Sequence, residues 1–125
     1  MILGLGIDII EIERVKESID KFGDKFLNKL FTEKEIEYCS SKPNKYQHYA
    51  ARFAAKEAVA KALTTGWNNE FNFKYVEIFN EPNGMPKVNL YGSLKLYLED
   101  DKELKISITH SRDYAACVAI IQKKS

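Results

Sequence analysis

The sequence has little cysteine and no long apolar run, and both shortages exclude classes of protein. Its two cysteines, Cys39 and Cys117, are too few for a disulfide framework and have no Cys or His neighbour at metal-ligand spacing, so we expect reduced, packed thiols. The longest apolar run, residues 115–121, is far shorter than the ~20 residues needed to cross a bilayer. The apolar start of the chain lacks a basic leader and is interrupted by Asp8, which argues against a signal peptide. We therefore expect a soluble, cytoplasmic protein with no membrane partner.

An excess of charge of either sign is absent as well. The 19 lysines and arginines nearly balance the 18 aspartates and glutamates, for a net charge of +1. The whole molecule therefore has no electric field that would by itself recruit nucleic acid or an anionic membrane. A length of 125 residues suits one domain with its own core. We predict a single domain over residues 1–125, in which any preference for anions is local.

Residue patterns in the first third of the chain predict one strand followed by helices. Residues 2–12 are apolar and β-branched without a helical period, which is typical of a strand buried on both faces. Residues 15–30 repeat apolar side chains at helical spacing, with a break or bend at Gly23. Thr32 and Glu35 have the spacing of a capping box, which predicts the start of a further short helix.

The strongest helical pattern lies at the centre of the chain and runs from about Tyr46 to Gly66, a residue type that suits a helix C-terminus. Small and apolar residues form two adjacent stripes along this helix, so other elements can approach it closely. The stripes consist of Ala50, Ala54, Ala58 and Ala62, and of Ala51, Ala55, Val59 and Leu63. We expect a central helix against which the rest of the chain packs.

The remaining residues alternate mainly as strands. Residues 74–80 and 87–91 predict a hairpin around a turn-rich loop. Residues 92–100 predict a helix, and residues 104–111 and 114–122 predict two further antiparallel strands. The predicted fold class is therefore α+β, a single domain with a long central helix packed on a mainly antiparallel sheet.

Side chains that can do chemistry line up on the central helix. Phe53, Glu57 and Lys61 follow one another at intervals of four residues, and Arg52 and Lys56 form a neighbouring ridge. Spacing alone leaves two interpretations open. Either these residues belong to a site, or they form an exposed face on which a Glu57–Lys61 ion pair contributes roughly a few tenths of a kcal/mol.

Asp8 is a second candidate because it interrupts an apolar strand. A buried carboxylate is costly unless a cation or hydrogen-bond donors compensate its charge. The alternative is that Asp8 lies at the strand end, where it is solvated or caps the next helix. Mg²⁺ is usually held by one or two carboxylates and completed by water and substrate oxygens. Asp8 and Glu57, if they meet, would therefore suit a metal at a phosphate site.

Glycine and histidine give weaker signals. Gly4 and Gly6 lack the third glycine of a dinucleotide fingerprint, so we interpret them as permitting close packing of the strand. His110 lies at a predicted strand end and is either structural or functional.

Basic residues gather on the first helical region. Lys21 and Lys25 lie near Arg14 on one side of it. They form either a solvated charged face or a basic ridge that docks an acidic macromolecule.

Four motifs occur in order along nearly the whole chain. They are Gly6-Ile-Asp8 with Glu11-Ile-Glu-Arg14, then Arg52-Phe-Ala-Ala-Lys-Glu-Ala-Val-Ala-Lys61, then Gly84-Met-Pro86, and finally Ser107-Ile-Thr-His-Ser111. Together they closely resemble the holo-acyl-carrier-protein synthases, which are 4′-phosphopantetheinyl transferases. The chain length is typical of the small bacterial form, and the motif on the central helix is highly specific.

The resemblance implies transfer of the phosphopantetheine arm of coenzyme A to a serine of an acyl carrier protein, with release of adenosine 3′,5′-bisphosphate. By similarity, Asp8 and Glu57 would bind Mg²⁺ at the coenzyme A diphosphate, and Lys61 would neutralise the same diphosphate. These three residues are the expected catalytic group. Glu57, directly or through metal-bound water, would accept the serine proton.

The resemblance also implies contacts with coenzyme A and with protein partners. The expected coenzyme A contacts are Arg52, Phe53, Lys56, Lys61, Gly66, Pro86, Thr109, His110 and Ser111. The resemblance to small members of the family implies a homotrimer with the cleft between subunits. The metal ligands of one chain would then face residues 109–111 of its neighbour. Arg14, Lys21 and Lys25 would dock the carrier protein. Residues 42–48 depart from the family pattern, which leaves the contacts to the 3′-phosphate open.

Two other functions remain open at this point. A non-catalytic module could use the basic helix and aromatic residues to bind an acidic protein or single-stranded RNA, although the near-zero net charge and Asp8 weigh against it. A diphosphate hydrolase would share the metal chemistry but would release phosphopantetheine into water.

Overall fold

A computed structural model of the chain describes residues 1–63, 72–98 and 101–124. Its helices and strands are, in chain order, β1 (Ile2–Glu11), α1 (Ile12–Phe22), α2 (Asp24–Leu30), α3 (Glu33–Ser40), α4 (Lys45–Ala62), β2 (Val76–Asn80), β3 (Pro86–Leu90), β4 (Lys102–His110) and β5 (Tyr114–Lys123). Short 3-10 helices cover Phe73–Tyr75 and Gly92–Leu98. This order confirms the predicted α+β class. Within the described ranges, no helix is long and apolar enough to cross a membrane.

The strands form two antiparallel sheets. In the larger sheet the order is β1-β5-β4, with β5 in the centre, and the smaller sheet is the hairpin of β2 and β3. Asp8 of β1 lies opposite Cys117 of β5, and Cys117 lies opposite Ile108 of β4. The N-terminal motif on β1 and the C-terminal motif on β4 are therefore in the same sheet and separated by strand β5.

Helix α4 packs directly on the larger sheet. Its two stripes of small and apolar residues are buried along their whole length. A Cβ atom at Gly4 would overlap the carbonyl oxygen of Ala62, and one at Gly6 would overlap the carbonyl oxygen of Ala58. Only glycine at these two positions allows the backbones of β1 and α4 to approach so closely, which explains the Gly4-Leu-Gly6 pattern.

Helices α1 to α3 cover the first half of α4 and form a second core with it. Gly23, with a φ angle of 56°, separates α1 from α2, as the sequence predicts. The predicted capping box is also present, since Thr32 and Glu35 each accept a hydrogen bond from the backbone amide of the other. The core between these helices includes Val15, Phe31 and Tyr49.

The prediction that β1 is buried on both faces is wrong for the single chain. Leu5, Ile7 and Ile9 are 62%, 66% and 63% exposed, whereas Gly4 and Gly6 on the other face are buried under α4. The helices lie on one side of the sheet, and no other element in the described part of the chain covers the opposite side. An apolar strand pattern does not say whether the same chain or another one covers the strand. Here the outer sheet face, which carries Leu5, Ile7 and Ile9, is exposed in the single chain.

Smaller differences concern element ends. Residues 74 and 75 belong to a 3-10 turn and not to β2, because the side chain of Asn72 accepts a hydrogen bond from the amide of Lys74 and tightens the chain there. The predicted helix over residues 92–100 is a 3-10 helix over Gly92–Leu98, and residues 99 and 100 lie outside the described residues.

Candidate active site

Asp8 and Lys61 form an ion pair between β1 and the last turn of α4. The carboxylate Oδ1 of Asp8 lies 3.1 Å from Nζ of Lys61, which also donates a hydrogen bond of 3.0 Å to the carbonyl oxygen of Ile7. Asp8 lies three residues before the end of β1 and is only 14% exposed. The alternative in which Asp8 is a solvated or capping residue at the strand end is therefore wrong.

Glu57 lies one turn before Lys61 on α4 and is half-buried. Burial raises the pKa of Glu57, the negative charge of Asp8 raises it further, and Lys61 opposes both effects. Asp8 and Glu57 therefore lie close enough to repel each other. Among the described residues Lys61 forms its ion pair with Asp8 and not with Glu57, so the interpretation of an exposed i,i+4 pair does not describe this ridge.

The two carboxylates match the donors that Mg²⁺ takes from proteins. Within residues 1–63, 72–98 and 101–124 there is no cluster of three or more His, Cys, Asp or Glu side chains, which weighs against a fully enclosed metal cage. Mg²⁺ is usually bound through one or two carboxylates, with the other positions left to water and phosphate oxygens. A divalent cation between Asp8 and Glu57 would also remove the repulsion that raises the pKa of Glu57.

A second group of predicted site residues lies at the opposite end of α4. Thr109, His110 and Ser111 are exposed at the end of β4, and Nδ1 of His110 is 2.9 Å from Nε2 of Gln47 in the first turn of α4. Gln47 and Glu57 are ten residues apart, which is about 15 Å along a helix. One chain therefore does not bring His110 next to the two carboxylates.

A pocket lies between the β2–β3 hairpin and strand β4. It has a volume of about 610 Å³ and is lined by residues 83–88 and 104–108. Pro86, predicted to lie against a nucleotide, is part of this lining. Two lysines, Lys87 and Lys105, stand at the pocket and supply positive charge.

Arg52 and Phe53 lie on different sides of α4. The guanidinium of Arg52 is buried, donates a hydrogen bond of 2.8 Å to Asn80 at the end of β2 and stacks 4.2 Å above the ring centre of Tyr38. Its Nε has no hydrogen-bond partner in the described part of the chain. Phe53 is half-buried and lines an apolar groove of about 370 Å³ together with Arg14.

Lys56 does not have the position that the sequence predicts. We expected it to contact coenzyme A, but its side chain is completely buried, with Nζ 2.7 Å from a carboxylate oxygen of Glu35. Nζ also donates hydrogen bonds to the carbonyl oxygens of Phe73 and Val76. All three donors of the ammonium group are thus used inside the protein, so a surface ligand cannot reach it.

The remaining predicted contacts lie on exposed helices or outside the described residues. Arg14, Lys21 and Lys25 are exposed on α1 and α2, and Arg14 lies at the apolar groove beside Phe53. Gly66 lies outside the described residues.

Sequence patterns missed two contacts at this site. Gln47 has no motif that would pair it with His110, 63 residues away. The burial of Lys56 did have a signal, because α4 carries alanine on most of its faces and such a helix is surrounded by protein.

Comparisons with known proteins identify the family to which the chain is similar. A family model described as the 4′-phosphopantetheinyl transferase superfamily matches residues 4–119. The chain is 48% identical over 119 residues to a holo-[acyl-carrier-protein] synthase of Chlamydia trachomatis serovar D, which covers 95% of this chain and 98% of the relative.

Solved structures extend the similarity to the fold. The crystal structure of holo-[acyl-carrier-protein] synthase from Neisseria meningitidis has a TM-score of 0.89 at 29% identity and covers 98% of this chain and 100% of that one. The enzyme from Helicobacter pylori in complex with coenzyme A has a TM-score of 0.82 at 30% identity, and the match covers 94% of this chain and 99% of that one.

Proposed function

The chain belongs to the 4′-phosphopantetheinyl transferase superfamily, and we propose that it transfers the 4′-phosphopantetheine group of coenzyme A to a serine of an apo-acyl carrier protein. The observation that carries the proposal is the meeting of Asp8 on β1 with Glu57 and Lys61 on α4, since β1 and α4 are far apart in sequence. Two carboxylates and an amine are the groups that a metal-assisted reaction of a diphosphate needs. We take residues 1–125 as one transferase domain.

The reaction is a substitution at phosphorus. The serine hydroxyl oxygen bonds to the phosphorus that carries the pantetheine arm, the bond from this phosphorus to the bridging oxygen breaks, and adenosine 3′,5′-bisphosphate leaves. The serine proton must be removed as the new bond forms, and the carboxylate of Glu57 is the acceptor. In the metal-free protein, burial and the negative charge of Asp8 raise the pKa of Glu57, and a cation held by both carboxylates would oppose that rise.

Asp8 and Glu57 would hold Mg²⁺, and their two carboxylates fit its preference for oxygen ligands. When bound, Mg²⁺ supplies positive charge to the diphosphate oxygens and to the leaving group. Lys61, 3.1 Å from Asp8, binds the same diphosphate from the side of α4. Part of its charge is compensated by Asp8 in the free protein and becomes available to the substrate once a metal neutralises Asp8.

The nucleotide of coenzyme A binds in the pocket between the β2–β3 hairpin and β4. Its volume of about 610 Å³ lies within the usual range for small-molecule sites. Pro86 offers an apolar surface to the base, and the lysines at the pocket suit phosphate. Thr109, His110 and Ser111 extend this surface at the end of β4, and Arg52, Phe53 and Gly66 remain proposed contacts along the cleft.

The carrier protein docks on α1 and α2. Arg14, Lys21 and Lys25 present positive charge there, and the groove beside Phe53 offers an apolar recess next to Arg14. This combination fits a partner with an acidic face and one protruding apolar side chain. The groove lies one helical turn from Glu57, so a carrier bound there would present its serine near the base.

We further propose a homotrimer with the active site between subunits. The outer sheet face exposes Leu5, Ile7 and Ile9, and such a patch on a protein surface usually marks an interface. A shallow pocket lined by Asp8, Lys61, Ile7 and Ile9 connects this face to the carboxylates. A second copy seated there would lie against the metal ligands and could supply the residues at the end of β4 that one chain holds about 15 Å away.

Light scattering of the purified protein tests the assembly. Leu5→Glu should dissociate it, because the interface would bury an unpaired charge, whereas Leu96→Glu, at an equally exposed position on a 3-10 helix (67%), should not. A monomeric wild type that transfers phosphopantetheine at full rate would contradict an intersubunit site.

Intact-protein mass spectrometry tests the function itself. An apo-acyl carrier protein incubated with coenzyme A, the protein and Mg²⁺ should gain the mass of phosphopantetheine, and EDTA should prevent the gain. Asp8→Asn should remove metal-dependent transfer while the circular dichroism spectrum stays that of the wild type. Absence of any mass gain with several carriers would reject the transferase, and release of free phosphopantetheine would favour a hydrolase.

We propose a cytoplasmic location on the basis of the cysteines. Both Cys39 and Cys117 are free and buried, which supports a reducing environment such as the cytoplasm.

A further inference from the structure

The β2–β3 hairpin carries Pro86 and one wall of the proposed nucleotide pocket, yet it forms a sheet of its own. In the described part of the chain no backbone ladder joins it to β1, β5 and β4. A two-stranded hairpin alone is marginally stable in water. Its place relative to Glu57 and Lys61 therefore depends on side-chain contacts. These are the apolar packing of Val76 and Ile78 in the core shared with α4 and the polar connections to the helices.

Two buried cations on α4 make these connections at both ends of β2. Lys56 donates to the carbonyl oxygens of Phe73 and Val76 at the start of the strand. Arg52, one turn earlier on the same helix, donates 2.8 Å to Asn80 at its end. Strand β2 is thus attached to α4 at two points four residues apart.

Helix α3 holds the middle of the same strand. One carboxylate oxygen of Glu35 pairs with Lys56 at 2.7 Å, and the other accepts a hydrogen bond of 3.0 Å from the amide of Ile78. Thr32 donates a hydrogen bond of 2.6 Å to Glu77, the next residue on β2. Strand β2 is therefore joined to α3 and its N-cap at two adjacent residues, through the backbone amide of Ile78 and the side chain of Glu77.

The buried charges point to a role beyond stability. Lys56 is completely buried. Removing an ammonium group from water costs free energy, and the ion pair and hydrogen bonds of its partners offset this cost only when their geometry is good. Burial lowers the pKa of Lys56 and Glu35 opposes this effect. Apolar residues of similar size often stabilise a core as well as such a pair does, but they cannot direct two carbonyl oxygens and a carboxylate to fixed positions.

We propose that Lys56 is a positioning residue that fixes the position of the nucleotide-binding hairpin relative to the catalytic carboxylates of α4 and β1. The identity of the ligand in this inference rests on the proposed function, whereas the role of Lys56 in holding the hairpin does not. The carboxylates keep their own arrangement, because Gly4 and Gly6 pack β1 on α4 independently of the hairpin. Loss of Lys56 should therefore displace the nucleotide pocket and leave the metal site in place.

Kinetics of Lys56→Met and Lys56→Gln test the proposal. Methionine keeps the length of the side chain without a donor, and glutamine restores two N–H donors without the charge. We expect the KM for coenzyme A to rise by roughly 10- to 100-fold in Lys56→Met, the scale of losing one or two polar contacts with the nucleotide, and by less in Lys56→Gln. The KM for the carrier protein and kcat at saturating coenzyme A should change little.

Ile121→Ala is the matched control for a fold that is merely loosened. Ile121 lies opposite Gly4 on β1 and belongs to the same apolar core as Val76 and Ile78 of β2, so its truncation loosens the packing around the hairpin without removing any of the polar connections described above. It should lower the Tm without changing the KM for coenzyme A. An equal rise of that KM in Ile121→Ala, or a Lys56→Met enzyme with wild-type KM, overturns the proposal.

Hydrogen exchange supplies a readout that needs no substrate. Amides of β2 and β3 should exchange faster in Lys56→Met than in Ile121→Ala, while those of β1 and α4 keep their protection. Unchanged exchange in the hairpin of Lys56→Met overturns this proposal, whether or not the wild type is active. Absence of transferase activity in the wild type would reject the proposed function and leave the exchange result valid. If both Lys56 variants fail to fold, Thr32→Val, which removes only the bond to Glu77 and a helix cap, must show the same selective effects in smaller size.

Discussion

Replacement of Gly6 by alanine should damage both stability and catalysis, because Gly6 determines the distance between β1 and α4. A Cβ atom at this position would lie 2.7 Å from the amide nitrogen of Ala62 and even closer to the carbonyl oxygen of Ala58. Non-bonded heavy atoms prefer separations of about 3.5 Å or more. Both obstructing atoms belong to the helix backbone and cannot rotate away, so α4 must move by roughly 1 Å.

The size of both effects follows from this displacement. Overpacking of a core costs about 1–3 kcal/mol and occasionally more, which corresponds to a fall in Tm of roughly 5–15 °C for a chain of this size. Asp8 is two residues from Gly6, and Glu57 precedes Ala58, so the movement separates the two carboxylates. A misplacement of about 1 Å at a reacting centre can reduce the rate by about 100-fold.

Thermal unfolding and steady-state kinetics of Gly6→Ala, at equal protein concentration, measure the two effects. Gly23→Ala is the control, since Gly23 has a φ angle of 56° and no atom within 4 Å of its added Cβ. It should lose stability through backbone strain and keep its kcat. A Gly6→Ala enzyme with a kcat within about threefold of the wild type would refute the close-packing account of the carboxylate pair.

Three further predictions concern titration, thiols and docking. Because the folded-state pKa of Glu57 is raised, its protonated form favours folding at low pH, and this contribution is lost as the pH rises through the folded-state pKa. In EDTA the Tm of Glu57→Gln should therefore exceed that of the wild type by an amount that grows as the pH rises above 4.5, the ordinary pKa of a glutamate, whereas its metal-dependent transfer is lost; a constant difference in Tm would contradict the raised pKa. Burial raises the pKa of Cys39 and of Cys117 to about 12, so neither thiol should react with Ellman's reagent at neutral pH before urea unfolds the protein. Arg14→Glu should raise the KM for the carrier protein and weaken its salt dependence, while Lys95→Glu, on an exposed 3-10 helix, should leave both unchanged.

Elements whose formation depends on local sequence could be predicted well. The break at Gly23, the capping box of Thr32 and Glu35, and the alanine stripes of α4 each follow from the conformational preference or size of a few neighbouring residues. All three are present in the fold. The exposure of Leu5 and Ile7 could not be predicted in the same way, because an apolar alternation does not say whether the same chain or another one covers the strand.

The environment of each residue in the candidate site could be predicted from the sequence to a different extent. Asp8 in an apolar strand required a compensating cation, and Lys61 provides it, although nothing in the spacing identified that lysine as its partner. Lys56 has the same chemistry as Lys61 and lies on the same helix, yet it is buried against Glu35. The two side chains leave α4 in different directions. Only the side chain of Lys56 is buried, because the hairpin and α3 pack on that side of α4, and the sequence of α4 alone does not contain this information.

Helix α4 therefore works as the common reference for every part of the site. Its glycine-facing side fixes the separation of Asp8 and Glu57, its buried cations hold the hairpin, and its first turn contacts His110 through Gln47. Substitutions on these three sides should then separate in kinetics. Changes on the first side reduce kcat, and changes on the second raise the KM for coenzyme A. In the proposed trimer, changes at the first turn of one chain affect the active site whose carboxylates come from its neighbour. Mixed trimers of Gln47→Ala and Glu57→Gln chains should therefore regain the active sites in which Glu57 comes from a Gln47→Ala chain and Gln47 comes from a Glu57→Gln chain, whereas sites built within one chain would regain no activity.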